Sequence, residues 1–173
     1  ADNDDIAFVV SFAGTGVSGR DILALQRVLI DKAKGASKEE LKITAERQEQ
    51  RLTIMTSKVG IAEKFQQMLA LNMRFYEEDD PKEDKNRRIL KAQQLTASMI
   101  TPWLLRFCEI DPAKYWSRVK CPVLVINGTR DLQVDAQQNA LKIVETLLKS
   151  GHREVSLELL PNLNHLFQTT KTG

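Results

Sequence analysis

Two residues in the last third of the chain have both the chemistry and the placement for acid–base work. Residues 122–127 (PVLVIN) lead straight into Asn127-Gly-Thr-Arg-Asp131, and residues 155–160 (VSLELL) lead into Leu160-Pro-Asn-Leu-Asn-His165. Both apolar runs read as strands. In open α/β sheets, ligands and catalytic groups gather beyond the carboxyl ends of strands. An imidazole titrates near neutrality, so it can take a proton and return it. Singly, each has a plainer explanation: Asp131 as a turn or helix-cap residue, His165 as a surface histidine. Jointly they are a stronger signal, because two successive parallel strands bring them to the same sheet edge. His152, in Ser-Gly-His-Arg, reads as a surface residue between helix and strand.

The elements that must position this pair follow from hydrophobic spacing. Residues 6–13 (IAFVVSFA) form a short apolar run suited to a strand buried on both faces, as in a parallel sheet. Residues 136–148 carry apolar side chains at Ala140, Ile143, Val144, Leu147 and Leu148, a helical spacing that Ser150-Gly151 closes. Residues 122–160 are therefore a strand–helix–strand unit, whose crossover implies parallel strands. Residues 21–107 read as helices. Ser37-Lys-Glu-Glu is a capping box. The stripe Leu41, Ala45, Leu52, Met55, Val59, interrupted by Gln48, reads as helix packing rather than a coiled coil. Gly60 is expected to bend or break that helix. Phe65, Met68, Leu69 and Met73 continue an apolar face, and Asp80-Pro81 is expected to open a further helix ending near Ile100. Three strands leave an apolar sheet edge open, which a partner or further chain must cover.

Gly14-Thr-Gly16-Val-Ser-Gly19 matches G-x-G-x-x-G between a strand and a helix, the local setting of a dinucleotide fingerprint. The fingerprint also needs a second parallel strand, ending in an acid about 20 residues on. Here the helix runs on into more helix, with Glu39 and Glu40 in a helical first turn. The glycines are better read as letting the chain leave the sheet.

Residues 121–134 (CPVLVINGTRDLQV) and 160–168 (LPNLNHLFQ) resemble the acid and histidine motifs of α/β-hydrolase esterases. Residues 6–19 resemble the strand that follows the nucleophile helix in a bacterial branch of that family. The acid-then-histidine order is that of the last two members of its Ser, Asp, His series. The resemblance implies the C-terminal part of an α/β-hydrolase parallel sheet, with residues 1–19 as core strand and loop. It implies a helical cap over 20–110 and a C-terminal core over 111–173. Asp131 would orient His165, and His165 would act as general base toward a serine. The family's Gly-x-Ser-x-Gly elbow does not occur in these 173 residues. Neither Ser11, within a strand, nor Ser18, in Gly16-Val-Ser-Gly19, has its spacing. The expectation is thus a serine carboxylic-ester hydrolase whose nucleophile lies in a missing N-terminal half, with this chain inactive alone. Trp103, Leu104 and Phe107 are candidates for an acyl pocket, with plain cap packing as the alternative. A non-catalytic helical interaction module is the rival from another class.

Composition limits the rest. Hydrophobic residues make up 42% and charged residues 28%, ordinary for a globular chain. The net charge of +2 is spread along the sequence without a basic, aromatic-interleaved stripe, so nucleic acid is not an expected partner. No apolar run reaches the roughly 18–20 residues of a membrane span, and the acidic opening Ala1-Asp-Asn-Asp-Asp5 is unlike a signal peptide. Cys108 and Cys121 are expected as buried free thiols, too few for a structural zinc site. No metal or organic cofactor is expected. The partners expected are a small ester substrate and a second copy, through cap helices or the open sheet edge.

Overall fold

A computed structural model describes residues 5–173; the acidic opening stretch, residues 1–4, lies outside them. The class is α/β. Strands β1 (Val9–Phe12), β2 (Val123–Gly128) and β3 (Val155–Leu160) form a parallel sheet in the order β1-β2-β3. Between β1 and β2 lie α1 (Gly19–Ala33), α2 (Lys38–Thr56), α3 (Ile61–Asp79), α4 (Lys85–Met99), α5 (Pro102–Glu109) and α6 (Ala113–Trp116); α7 (Ala140–Lys149) joins β2 to β3. The three strands, the crossover helix and the long helical insertion are those expected.

Helix ends follow local chemistry. Ser37 Oγ accepts from Glu40 N at 3.3 Å while the Glu40 carboxylate accepts from Ser37 N at 2.7 Å, closing the capping box of α2. Gly60 breaks the chain between α2 and α3 rather than bending a single helix. In the α2 stripe, Leu52 and Met55 are fully buried and Ala45 is exposed. Gln48, the interruption, is itself buried, and its amide donates to Leu23 O at 3.1 Å. A polar side chain can sit in such a stripe once its hydrogen bond is met. Helix α4 starts at Lys85, later than Asp80-Pro81 suggested, because Asp84 Oδ1 accepts from Arg87 N at 3.0 Å and so fixes the cap. Helix α7 likewise starts at Ala140, its predicted first residues 136–139 forming a turn. Gly151, at φ 87°, then closes it.

The interior has two parts. Leu52, Met55, Met68, Ile100, Leu105 and Cys108 form the core of the helical insertion. Val123, Val125, Ala140, Ile143 and Leu147 pack α7 on the sheet. Strand pairing puts Val9, Val123 and Val155 in one row on the α7 side; the alternate row Phe12, Ile126 and Glu158 faces away. On that far side Phe8 is 65% and Phe12 63% exposed. Within these residues the first strand is therefore covered on one face alone. β1 is shorter than residues 6–13 because it exists only where β2 pairs with it, and it is an edge strand with helix packing on one side. The apolar, uncovered face and edge are the kind that soluble proteins normally cover.

Among the described residues no helix is long and apolar enough to cross a membrane. Both cysteines are free thiols, Cys108 buried and Cys121 only half-buried.

Candidate active site

The site is built at the carboxyl end of β2 and β3. The apolar row Val123, Val125 continues into Asn127, also fully buried, and the strand ends at Gly128. There the chain crosses the segment after β3 at very close range: a Cβ on Gly128 would stand 2.2 Å from Leu163 O. Thr129 N donates to Leu160 O at 2.9 Å, Arg130 N to Leu163 O at 3.0 Å, and Asn162 N to Thr129 Oγ1 at 2.9 Å. These bonds lace the acid's turn to the histidine's loop. Asn162, at φ 62°, turns the chain out of β3 in a conformation that asparagine tolerates better than most residues. Asn164 Oδ1 accepts from Leu166 N and Gln168 N, each at 3.0 Å, so a side chain holds the short loop that carries His165.

Asp131 is 2% exposed. Its Oδ1 accepts from Gln133 N and Val134 N at 2.9 Å each. Its Oδ2 accepts from Asn127 Nδ2 at 3.2 Å and stands 2.9 Å from His165 Nδ1. Four partners fill the acceptor sites of a carboxylate, which is what makes a charge tolerable so far from water. With a carboxylate against Nδ1, the neutral imidazole carries its proton there, and Nε2 keeps a lone pair. The His165 side chain is 31% exposed, and among the described residues Nε2 has no hydrogen-bond partner. It borders a cleft of about 440 Å³ whose walls include Ile30 of α1, Lys34 just past its end, and Leu132, Gln133 and Leu166.

The sequence-derived acid and histidine are thus in direct contact. Trp103, Leu104 and Phe107 sit elsewhere, on α5, and none lines this cleft. Trp103 is 71% exposed and stacks on Phe107 with ring centroids 5.3 Å apart. Phe107 in turn fills the space above Gly19, and Leu104 packs on the helical core. His152 has both ring nitrogens engaged, Nε2 with Cys121 O at 2.9 Å and Nδ1 with Glu154 N at 3.2 Å. It ties the entry to β2 to the entry to β3.

Among the described residues no hydroxyl or thiol is hydrogen-bonded to His165. The Ser18 hydroxyl caps α1, bonded to Asp21, and Ser11 lies buried in β1. Burial pushes the Cys108 thiol up to about 11, which keeps it protonated inside the helical core. The glycine loop is also occupied by the protein itself. Asn139 Oδ1 accepts from Gly16 N at 3.0 Å and Val17 N at 3.4 Å, and a Cβ on Gly16 would meet Asn139 O at 2.2 Å. Those amides are not free to cradle a pyrophosphate, and α1 leads into α2 rather than a second strand. Among the described residues no cluster of three or more His, Cys, Asp and Glu side chains could hold a metal ion.

Two positioning residues escaped the sequence reading. Asn127 stands at an inward-facing position of an apolar strand, a signal that period-two counting could have raised. Gly128 gave no such signal, because its close approach is to a residue 35 positions away.

No family model and no curated protein matches the chain. Among solved structures it resembles the crystal structure of homoserine O-acetyltransferase from Bacillus anthracis, at 13% identity and a TM-score of 0.37. The alignment covers 94% of this chain and 48% of that one, so the chain spans about half that enzyme's length.

Proposed function

We propose that Asp131 and His165 are the acid and base of a Ser-His-Asp acyl-transfer triad in a carboxylic-ester hydrolase of the α/β-hydrolase superfamily. In this reading the serine comes from a strand–Gly-x-Ser-x-Gly–helix unit outside these 173 residues, and residues 20–110 act as a cap beside the substrate. The observation that carries it is the 2.9 Å contact between His165 Nδ1 and a buried, fully hydrogen-bonded Asp131, with Nε2 left open at the edge of a cleft. The uncovered face and edge at Phe8, Phe12 and Ile126 support it further, as a place for more strands and helices to pack.

The chemistry follows from the geometry. The serine Oγ attacks the ester carbonyl carbon as its proton passes to His165 Nε2, and the imidazolium formed is stabilised by Asp131. Collapse of the tetrahedral intermediate expels the alcohol, which takes that proton, and leaves an acyl-serine. Water then repeats the sequence, releasing the acid and restoring the serine. Ile30, Leu132 and Leu166 offer apolar contacts for the acyl group next to Nε2. No cofactor enters.

The purified 173-residue chain is expected not to hydrolyse p-nitrophenyl acetate above the rate in buffer, since acid and base alone have nothing to acylate. Turnover abolished by His165→Ala would place the nucleophile inside the chain and overturn that part. In a form carrying the serine elbow, His165→Ala should remove nearly all activity while the fold persists. Activity retained there would rule out the triad.

A further inference from the structure

The helical insertion contains a second cleft, of about 450 Å³, enclosed by α1, α2, α3 and α4. α1 separates it from the cleft at His165; Gln26 and Ile30 border both. Three arginines line it: Arg27, Arg47 and Arg51. Like charges gathered around a partly dry space repel one another unless counter-charge is present. Two of the three have it. Arg27 Nε lies 3.1 Å from Asp31, and Arg47 spans Glu78 at 3.1 Å and Asp79 at 2.6 Å.

Arg51 has no direct ion pair among the described residues; Asp79, bonded to Arg47, acts on it only through space. Its Nε donates to Asn72 Oδ1 at 2.9 Å, and its guanidinium carbon lies 5.0 Å from the centre of the Phe75 ring. Burial first, then the charges of Arg27 and Arg47, hold its pKa below the usual arginine value, with Tyr76 and Asp79 acting the other way. Stacking on a ring stabilises a cation by about 0.5–2 kcal/mol but supplies no negative charge to offset the neighbouring arginines. The cation is nevertheless held in place. Asn72 is fully buried and its amide donates to the equally buried Thr96 Oγ1 at 3.1 Å, which aims the Asn72 carbonyl at Arg51. Only one edge of the guanidinium is used; the terminal nitrogens have no partner among the described residues. A fixed planar fork with open terminal nitrogens fits an oxyanion bidentately. Beyond the charges the walls mix apolar Leu23, Ile43, Leu95 and Met99 with polar Gln26, Thr44, Gln48 and Tyr76.

We infer that this cleft is a binding site for a small organic monoanion, a carboxylate on an apolar body, with Arg51 as its charge-pairing residue. The Arg51 fork, which makes no ion pair, suits one carboxylate, and the apolar part of the wall suits a short hydrocarbon body rather than a bare ion. The inference does not use the dyad, and its test reads binding rather than hydrolysis.

Titration calorimetry of octanoate into the purified protein at low salt tests it, with 1-octanol and octylammonium as matched neutral and cationic probes. One saturable site for octanoate is expected, with neither other probe competing. Arg51→Met, which keeps an unbranched apolar stem but not the charge, should weaken binding by at least about tenfold, the scale of one hydrogen-bonded charge pair. Arg51→Lys, which keeps the charge but not the fork, should fall in between. Should Arg51→Met unfold, Arg27→Gln replaces an exposed arginine of the same cleft and should weaken octanoate binding with the fold intact. The inference is overturned if octanoate does not bind, if 1-octanol binds as well, or if the variants bind as the wild type does.

Discussion

In a form of the protein carrying the serine elbow, Asp131→Asn is expected to lower kcat for p-nitrophenyl acetate by about 10,000-fold while the fold persists. The size of the effect comes from tautomer choice, not from lost packing. An asparagine at 131 would keep its Oδ1 where Gln133 N and Val134 N donate. Its amide would then face Asn127 Nδ2 and His165 Nδ1, where the carboxylate Oδ2 now accepts from both. To meet that amide, His165 must accept at Nδ1 and carry its proton on Nε2. An Nε2 already protonated cannot take the serine's proton. Steady-state kinetics beside a thermal melt check this; kcat within tenfold of the wild type would mean that Asp131 does not set the state of His165.

Gly128→Ala is expected to be the other severe change, although residue 128 touches no substrate. The added Cβ would meet Leu163 O at 2.2 Å, Leu163 C at 2.7 Å and Asn164 O at 2.9 Å. All three are backbone atoms, so no side-chain rotation relieves the clash. The segment carrying His165 must move away, and the 3.0 Å bond from Arg130 N to Leu163 O stretches or breaks with it. Overpacking of this kind costs about 1–3 kcal/mol, and a displacement of about 1 Å at a reacting group costs about 100-fold in rate. Both a lower melting temperature and a kcat loss on that scale are expected. Gly60→Ala is the control, since a Cβ there has nothing within 4 Å and kcat should not change. Wild-type kcat in Gly128→Ala would show that this crossing does not position the histidine.

What could be read in the sequence was local. The capping box at Ser37 involves residues three apart, and the α7 spacing needs only the helical period, so both were visible. So was the pairing of Asp131 with His165, because each directly follows its strand and strand order brings the two ends together. Features that depend on distant neighbours were not visible. β1 is four residues long because β2 pairs with only four of its residues, and no property of residues 6–13 gives that number. The role of Asn127 depends on Asp131 folding back beneath it. The arginine cleft needs four helices to assemble before Arg51 is seen to lack a direct ion pair. Trp103, Leu104 and Phe107 were named for a pocket as apolar residues of the insertion, and no spacing showed that Trp103 and Phe107 stack on each other.

Nitrogen NMR of the His165 imidazole in the purified chain bears most directly on the central claim, because it needs no nucleophile. The account predicts that the neutral ring carries its proton on Nδ1 with Nε2 bare, and that Asp131→Asn reverses this. A proton on Nε2 in the wild type, or a tautomer that Asp131→Asn leaves unchanged, would contradict the assignment of His165 as a base oriented by Asp131.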